Sequence, residues 1–237
     1  MCHDTTPSSL PAPGNYQLGN SNGLKYWDFS NAASKTDSDV RVALLTDIYG
    51  CNDFYQSMST HFANQGWQSH LIDLFADLGE LPEVTREAAF ERRHKLNDQE
   101  CCDLIAQYIQ DNNITAVVGF CLGGNFVFEL ARRNVKVNLI AYYPFPAGLP
   151  NENGLDPAFN YLELLQTEVT VLIGDDDDRV GLENVTKLKT ISESNAALSV
   201  NVYSNSKHGF LEDLDSEDPT LKQNAEDSLA TCLDKIS

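Results

Sequence analysis

Positive charge is scarce in this 237-residue chain. Its 16 lysines and arginines stand against 35 aspartates and glutamates, a formal net charge of −19. A surface so acidic repels phosphate backbones and anionic headgroups, so neither nucleic acid nor a membrane is an expected partner. Long apolar runs are also missing. None approaches the roughly 20 residues that a spanning helix needs, and mean hydropathy is −0.32. The opening segment MCHDTTPSSLPAPG has no basic start and no apolar core, so no secretory signal is expected. The cysteines are Cys2, Cys51, Cys101, Cys102, Cys121 and Cys232, and no pair has the two-residue spacing of a zinc or redox motif. No metal and no cofactor are expected. The thiols read as free, in a reducing, cytoplasmic compartment. A small molecule is the expected partner and a monomer the expected state. There is no internal repeat, and residues 175–178 are the only low-complexity run.

With 42% hydrophobic residues the chain can build a sizeable core. Residues 1–39 read as a polar N-terminal arm with one short strand at 24–29. Residues 40–237 read as a single domain. Its apolar runs at 40–46, 70–75, 114–120, 137–143, 169–174 and 198–203 have the density of buried strands. Between them lie helical patterns. Phe54, Met58 and Phe62 repeat every four residues, and Gly66 supplies a stop. A longer helical stretch covers 82–111, and further helices are expected at 122–133, 181–194 and 217–235. Strands alternating with helices predict a mostly parallel, doubly wound sheet with helices on both faces. The Pro-, Asn- and Gly-rich segment 144–160 predicts a long loop after a strand, where α/β proteins place substrate-facing elements.

Residues 117–133, VVGFCLGGNFVFELARR, carry the strongest local signal. A buried strand runs into Gly-x-Cys-x-Gly and then an amphipathic helix, the pattern of a nucleophile elbow with sulfur in place of oxygen. Gly119 and Gly123 must be small because the nucleophile sits on a sharp turn. The helix N-terminus favours negative charge on the Cys121 sulfur. The Leu122 N–H would face the oxyanion of a tetrahedral intermediate. The alternative is a packing cysteine at an ordinary strand–helix turn. An acid and then a base follow in chain order, each just past a strand end. The Gly-x-x-Asp spacing from Gly174 selects Asp177 within the acidic run, and His208-Gly209-Phe210 offers the base. A solvated acidic turn and a surface histidine are the plainer readings of these two. His3, His61, His70 and His94 have no comparable context.

With Cys121, Asp177 and His208 in that order, residues 40–210 resemble the dienelactone hydrolase family of α/β-hydrolases. The resemblance includes Asp47-Ile48-Tyr49-Gly50 with Asn52, Asp73-Leu74-Phe75, Gly119-Phe120-Cys121-Leu122-Gly123-Gly124, Ala141-Tyr142-Tyr143, Gly174-x-x-Asp177 and His208-Gly209-Phe210. It implies the α/β-hydrolase fold and hydrolysis of an ester or lactone of a small carboxylic compound. It makes Cys121 the nucleophile, His208 the base and Asp177 its orienting acid. It adds the Ile48 N–H to that of Leu122 as the oxyanion hole.

The chain departs from the family pattern in three places. Asp47 stands where enzymes acting on dienelactone carry a glutamate that tunes the thiol. Leu211 or Glu212 stands where they place an arginine for the substrate carboxylate. The loop 144–160 is long. The resemblance implies a second carboxylate-binding arginine at Arg86, with Phe90 one turn later, or at Arg92; solvated arginines on a helix face are the plainer reading. These departures predict a preference for neutral lactones or short acyl esters. They also keep open a non-catalytic binding protein on the same fold. A glutamine-amidotransferase-like cysteine enzyme is a third reading, disfavoured by Leu122 after the cysteine and Gly209 after the histidine.

Overall fold

The computed structural model describes residue 3, residues 5–30 and residues 39–237. Eight strands form one sheet in the order β1-β2-β4-β3-β5-β6-β7-β8. β1 (Gln17–Ser21) and β2 (Leu24–Asp28) form a hairpin that joins the sheet antiparallel to β4 (Gln68–Ile72). From β4 onward every pairing is parallel, through β3 (Arg41–Leu45), β5 (Ala116–Phe120), β6 (Asn138–Tyr142), β7 (Val169–Gly174) and β8 (Leu198–Tyr203). Every residue of β5 and β7 is buried, as strands covered on both faces must be.

Each of the seven strands expected from the sequence is present, within two residues at most ends. β1 is the addition. Its sequence QLGNS lacks an apolar face, and Leu18 is 75% exposed, so burial left no pattern to read. The hairpin also makes residues 17–28 of the polar arm part of the sheet.

The helical stretch 82–111 is two helices, α2 (Arg86–Arg93) and α3 (Asp98–Asp111). Asn97 divides them, because its side chain accepts from the Glu100 N–H and caps α3. The corner holds a buried ion pair, with Arg93 Nη1 donating to Asp98 Oδ1 at 2.7 Å. Asn151 Nδ2 donates to the Leu96 carbonyl at 2.7 Å, which fastens loop 144–160 to the same corner. The remaining helices are α1 (Asp53–Asn64), α4 (Leu122–Arg132), α5 (Leu182–Ser194) and α6 (Pro219–Ile236). Asn52 caps α1 and Asp218 caps α6. Among the described residues, no helix is long and apolar enough to cross a membrane.

Sequence order along the sheet reverses between β3 and β5. The chain winds outward from β3 to β4 on one side, and from β5 through β8 on the other. Doubly wound sheets open a crevice at such a switch point, at the carboxyl ends of the strands. Leu45 of β3 lies opposite Gly119 of β5, so residues 46–48 and 120–122 emerge side by side at that crevice.

Candidate active site

Cys121 sits between β5 and α4 with φ 55° and ψ −109°, a conformation that side-chain-bearing residues rarely adopt. Two glycines make that turn possible. A Cβ on Gly119 would lie 2.2 Å from the Gly123 carbonyl oxygen, and one on Gly123 would lie 2.3 Å from the Leu45 carbonyl oxygen. The strand, the elbow and the helix therefore pack at backbone contact. The Cys121 N–H donates to the Tyr142 carbonyl and the Gly123 N–H to the Thr46 carbonyl, each at 3.0 Å. Leu122 opens α4, so its N–H lies outside the helix ladder.

The residues after β3 form the facing loop. Asp47 is fully buried, and its Oδ1 accepts from the Tyr49 N–H at 2.7 Å. Arg92 fixes the same loop from the other side. Its guanidinium lies over the Phe75 ring and donates to the Ile48 carbonyl at 3.2 Å and the Gly79 carbonyl at 3.1 Å. Arg92 is thus engaged with the loop backbone and does not line the cavity described below.

Asp177 and His208 meet because two strand ends close on each other. A Cβ on Gly174 would lie 1.8 Å from the Ser206 carbonyl oxygen, so only glycine lets the loop after β8 pack on the end of β7. The Asp176 N–H donates to that same carbonyl at 3.1 Å. Within the acidic run Asp177 alone is buried, at 1% exposure. Its Oδ1 accepts from the Arg179 and Val180 N–H groups, both at 3.0 Å. Its Oδ2 takes the His208 Nδ1 hydrogen bond at 2.8 Å. A carboxylate only accepts, so Nδ1 carries the proton and Nε2 is the basic nitrogen. The His208 ring packs between Tyr143 and Phe145, with centroids 4.8 and 5.2 Å away.

Cys121 and His208 line one cavity of about 490 Å³ together with Ile48. Arg86 and Phe90 of α2 contribute a wall, with the guanidinium 5.4 Å from the ring centroid. Loop 144–160 contributes Phe145, Leu149 and Pro150. Asp178 and Arg179 complete it. Arg179 is a cation the sequence reading missed, although it stands two residues after Asp177. Leu211 and Glu212 are absent from the lining. Leu211 is fully buried, and Glu212 Oε1 accepts from the Thr5 N–H at 2.7 Å. Neither Leu211 nor Glu212 faces the cavity, whose charged lining is Arg86, Arg179 and Asp178.

The other described thiols are suppressed by burial. It pushes Cys51 well above its ordinary range, and Cys101 and Cys232 to about 12. Cys51 donates to the Ile72 carbonyl as a packing residue. Cys2 lies outside the described residues. Among the described residues no group of three or more His, Cys, Asp and Glu side chains could hold a metal ion.

The sheet order, the elbow and the crevice at the switch point define an α/β-hydrolase. A family model described as the dienelactone hydrolase family matches residues 31–236, and the chain belongs to that family. It is 43% identical over 219 residues to carboxymethylenebutenolidase 2 of Cupriavidus pinatubonensis, covering 92% of this chain and 91% of that one. It is 29% identical to a carboxymethylenebutenolidase of Rhodococcus opacus over 89% and 86% of the two chains. Among solved structures, a dienelactone hydrolase-like promiscuous phosphotriesterase from metagenomic libraries superposes with a TM-score of 0.61. That structure is 19% identical, over 96% of this chain and 98% of its own, and shows the shared fold. The protein is a dienelactone hydrolase-like hydrolase.

Proposed function

We propose that the protein opens a carboxylated lactone through Cys121, with His208 as base and Asp177 as its orienting acid. The observation that carries this reading is the buried Asp177–His208 hydrogen bond, at the edge of a cavity that Cys121 shares with Arg86 and Arg179. The Cys121 thiol passes its proton to His208 Nε2, and the sulfur adds to the lactone carbonyl carbon. The carbonyl electron pair moves to oxygen, where the Leu122 and Ile48 N–H groups donate. Collapse breaks the ring C–O bond, His208 returns the proton to the leaving oxygen, and a thioester remains. A water molecule that gives its proton to His208 then attacks the thioester carbon. The carboxylic acid leaves and the thiol is restored. Asp177 stabilises the imidazolium in both halves. Asp47, buried where β3 meets β5, takes the place of the thiol-tuning carboxylate and also shapes the loop that presents Ile48.

Arg86 and Arg179, set against the one carboxylate of Asp178, give the lining a net positive charge that favours an anion. The two relatives above are named for carboxymethylenebutenolide, a lactone that bears a carboxylate. The test is kcat/KM for a matched lactone pair differing only in the carboxylate. The carboxylated member is expected to react faster. Arg86→Ala or Arg179→Ala should cost that member about ten- to a hundredfold, the worth of a charge-assisted contact. Neither variant should slow the neutral member comparably. A wild-type preference for the neutral lactone would overturn this substrate class.

A further inference from the structure

His3 is a polar side chain buried where an apolar one would cost less. It is 3% exposed and stacks on Phe54 of α1, with ring centroids 3.5 Å apart and planes within 6°. Tyr55 and Phe120 meet it edge-on. Burying an imidazole without a partner is costly, and the partner here is specific. His3 Nε2 shares a hydrogen bond with the Tyr143 hydroxyl. Burial holds His3 well below the ordinary imidazole range, so the ring is neutral at neutral pH.

Tyr143 connects this contact to the active site. It is fully buried and follows β6 with φ 36°, an uncommon conformation for a residue with a side chain. Its N–H donates to the Leu172 carbonyl at 2.9 Å, which anchors the backbone. Its ring forms one wall of the His208 imidazole at 4.8 Å. The bond to His3 fixes the hydroxyl end of that ring, and the bond to Leu172 fixes its backbone.

Residues 5–14 hold His3 in place as a strap. The Thr5 N–H donates to Glu212 Oε1 at 2.7 Å, and the Ser8 N–H donates to Asp215 Oδ2. Both carboxylates belong to the 3₁₀ turn Phe210–Asp215 that directly follows His208-Gly209. Leu10 is buried at 5%, and the Gly14 N–H donates to Thr60 Oγ1 of α1 at 2.8 Å. The strap therefore crosses from the turn after His208 to the helix after the oxyanion loop.

We propose that His3 is a positioning residue for His208, acting through the Tyr143 hydroxyl. This rests on the triad reading above. The imidazole must keep its Nδ1 on Asp177 and its Nε2 toward the sulfur, and a mobile Tyr143 wall would blur that geometry. The effect belongs to the chemical step and not to substrate affinity.

The test uses the full chain, a small activated acyl ester such as p-nitrophenyl acetate, and rates normalised to titratable Cys121. His3→Phe keeps the stack on Phe54 and deletes the nitrogen. Tyr143→Phe deletes the hydroxyl. Each should lower kcat about two- to tenfold with KM nearly unchanged, the kinetic equivalent of one ordinary hydrogen bond. The double variant should be no slower than either single one, because both remove the same bond. His3→Gln, whose amide reaches to the place of Nε2, should recover most of the lost rate. Wild-type kcat in His3→Phe would overturn the inference. So would multiplicative losses in the double variant, or a failure of His3→Gln to recover rate. If His3→Phe does not fold, Tyr143→Phe and His3→Gln decide by the same criteria. A parallel His208→Asn variant separates the two layers of argument. If it keeps wild-type kcat, the triad reading and this inference fall together. If it is inactive while His3→Phe is unchanged, only this inference falls.

Discussion

Four consecutive aspartates look alike in the sequence, but each meets different surroundings. Asp177 accepts two backbone N–H groups and the His208 ring while buried. Asp175 Oδ1 accepts the Asn205 N–H at 2.6 Å and so joins the two loops. Asp176 and Asp178 are exposed. Asp177→Asn should lower kcat about a hundredfold or more, since an amide nitrogen cannot hold the imidazole in its required tautomer. Asp176→Asn should change kcat by less than about twofold, as exposed substitutions do, and Asp175→Asn should fall between. Equal losses across the run would contradict the assignment. Asp177 was legible from the sequence because its distance from Gly174 is local. His3 was not, since its partners Phe54 and Tyr143 are brought to it only by the fold. Arg179 was overshadowed by the acidic run before it, and the contact of Glu212 with Thr5, 207 residues away, leaves no trace in the sequence.

Each element here is built by a short-range rule, and the site is built by the way the elements abut. The strands were readable because buried parallel strands are continuously apolar. The break between α2 and α3 was not, because Asn97 lies in a stretch as polar as the helices around it. Close approach at the strand ends gives the sharpest prediction at this scale. In Gly174→Ala, a Cβ 1.8 Å from the Ser206 carbonyl oxygen forces the loop after β8 away from β7. Urea unfolding should show a loss of more than about 3 kcal/mol, as expected where backbone must shift. Any folded fraction should have lost activity, because Asp177 and His208 ride on those two loops. A stable, fully active Gly174→Ala enzyme would contradict this account of how the pair is assembled.

At the scale of the whole molecule, the net charge of −19 opposes compaction, while the cavity presents Arg86 and Arg179. Screening should therefore stabilise the fold. Tm is expected to rise between about 10 and about 150 mM monovalent salt, as the Debye length shortens from roughly 30 to roughly 8 Å. A flat or falling Tm would mean that local ion pairs such as Arg132–Glu129 and Arg133–Glu129 outweigh the general repulsion. The switch point, the elbow and the closing of β7 on β8 bring the Cys121 sulfur and His208 to the lining of one cavity. Rapid-quench mass spectrometry during turnover of an activated ester examines that sulfur directly. A transient acyl adduct is expected on the peptide carrying Cys121, with release of acyl product slowed in His208→Asn and turnover lost in Cys121→Ala. Wild-type turnover by Cys121→Ala, or an adduct that forms on Cys51 instead, would contradict it.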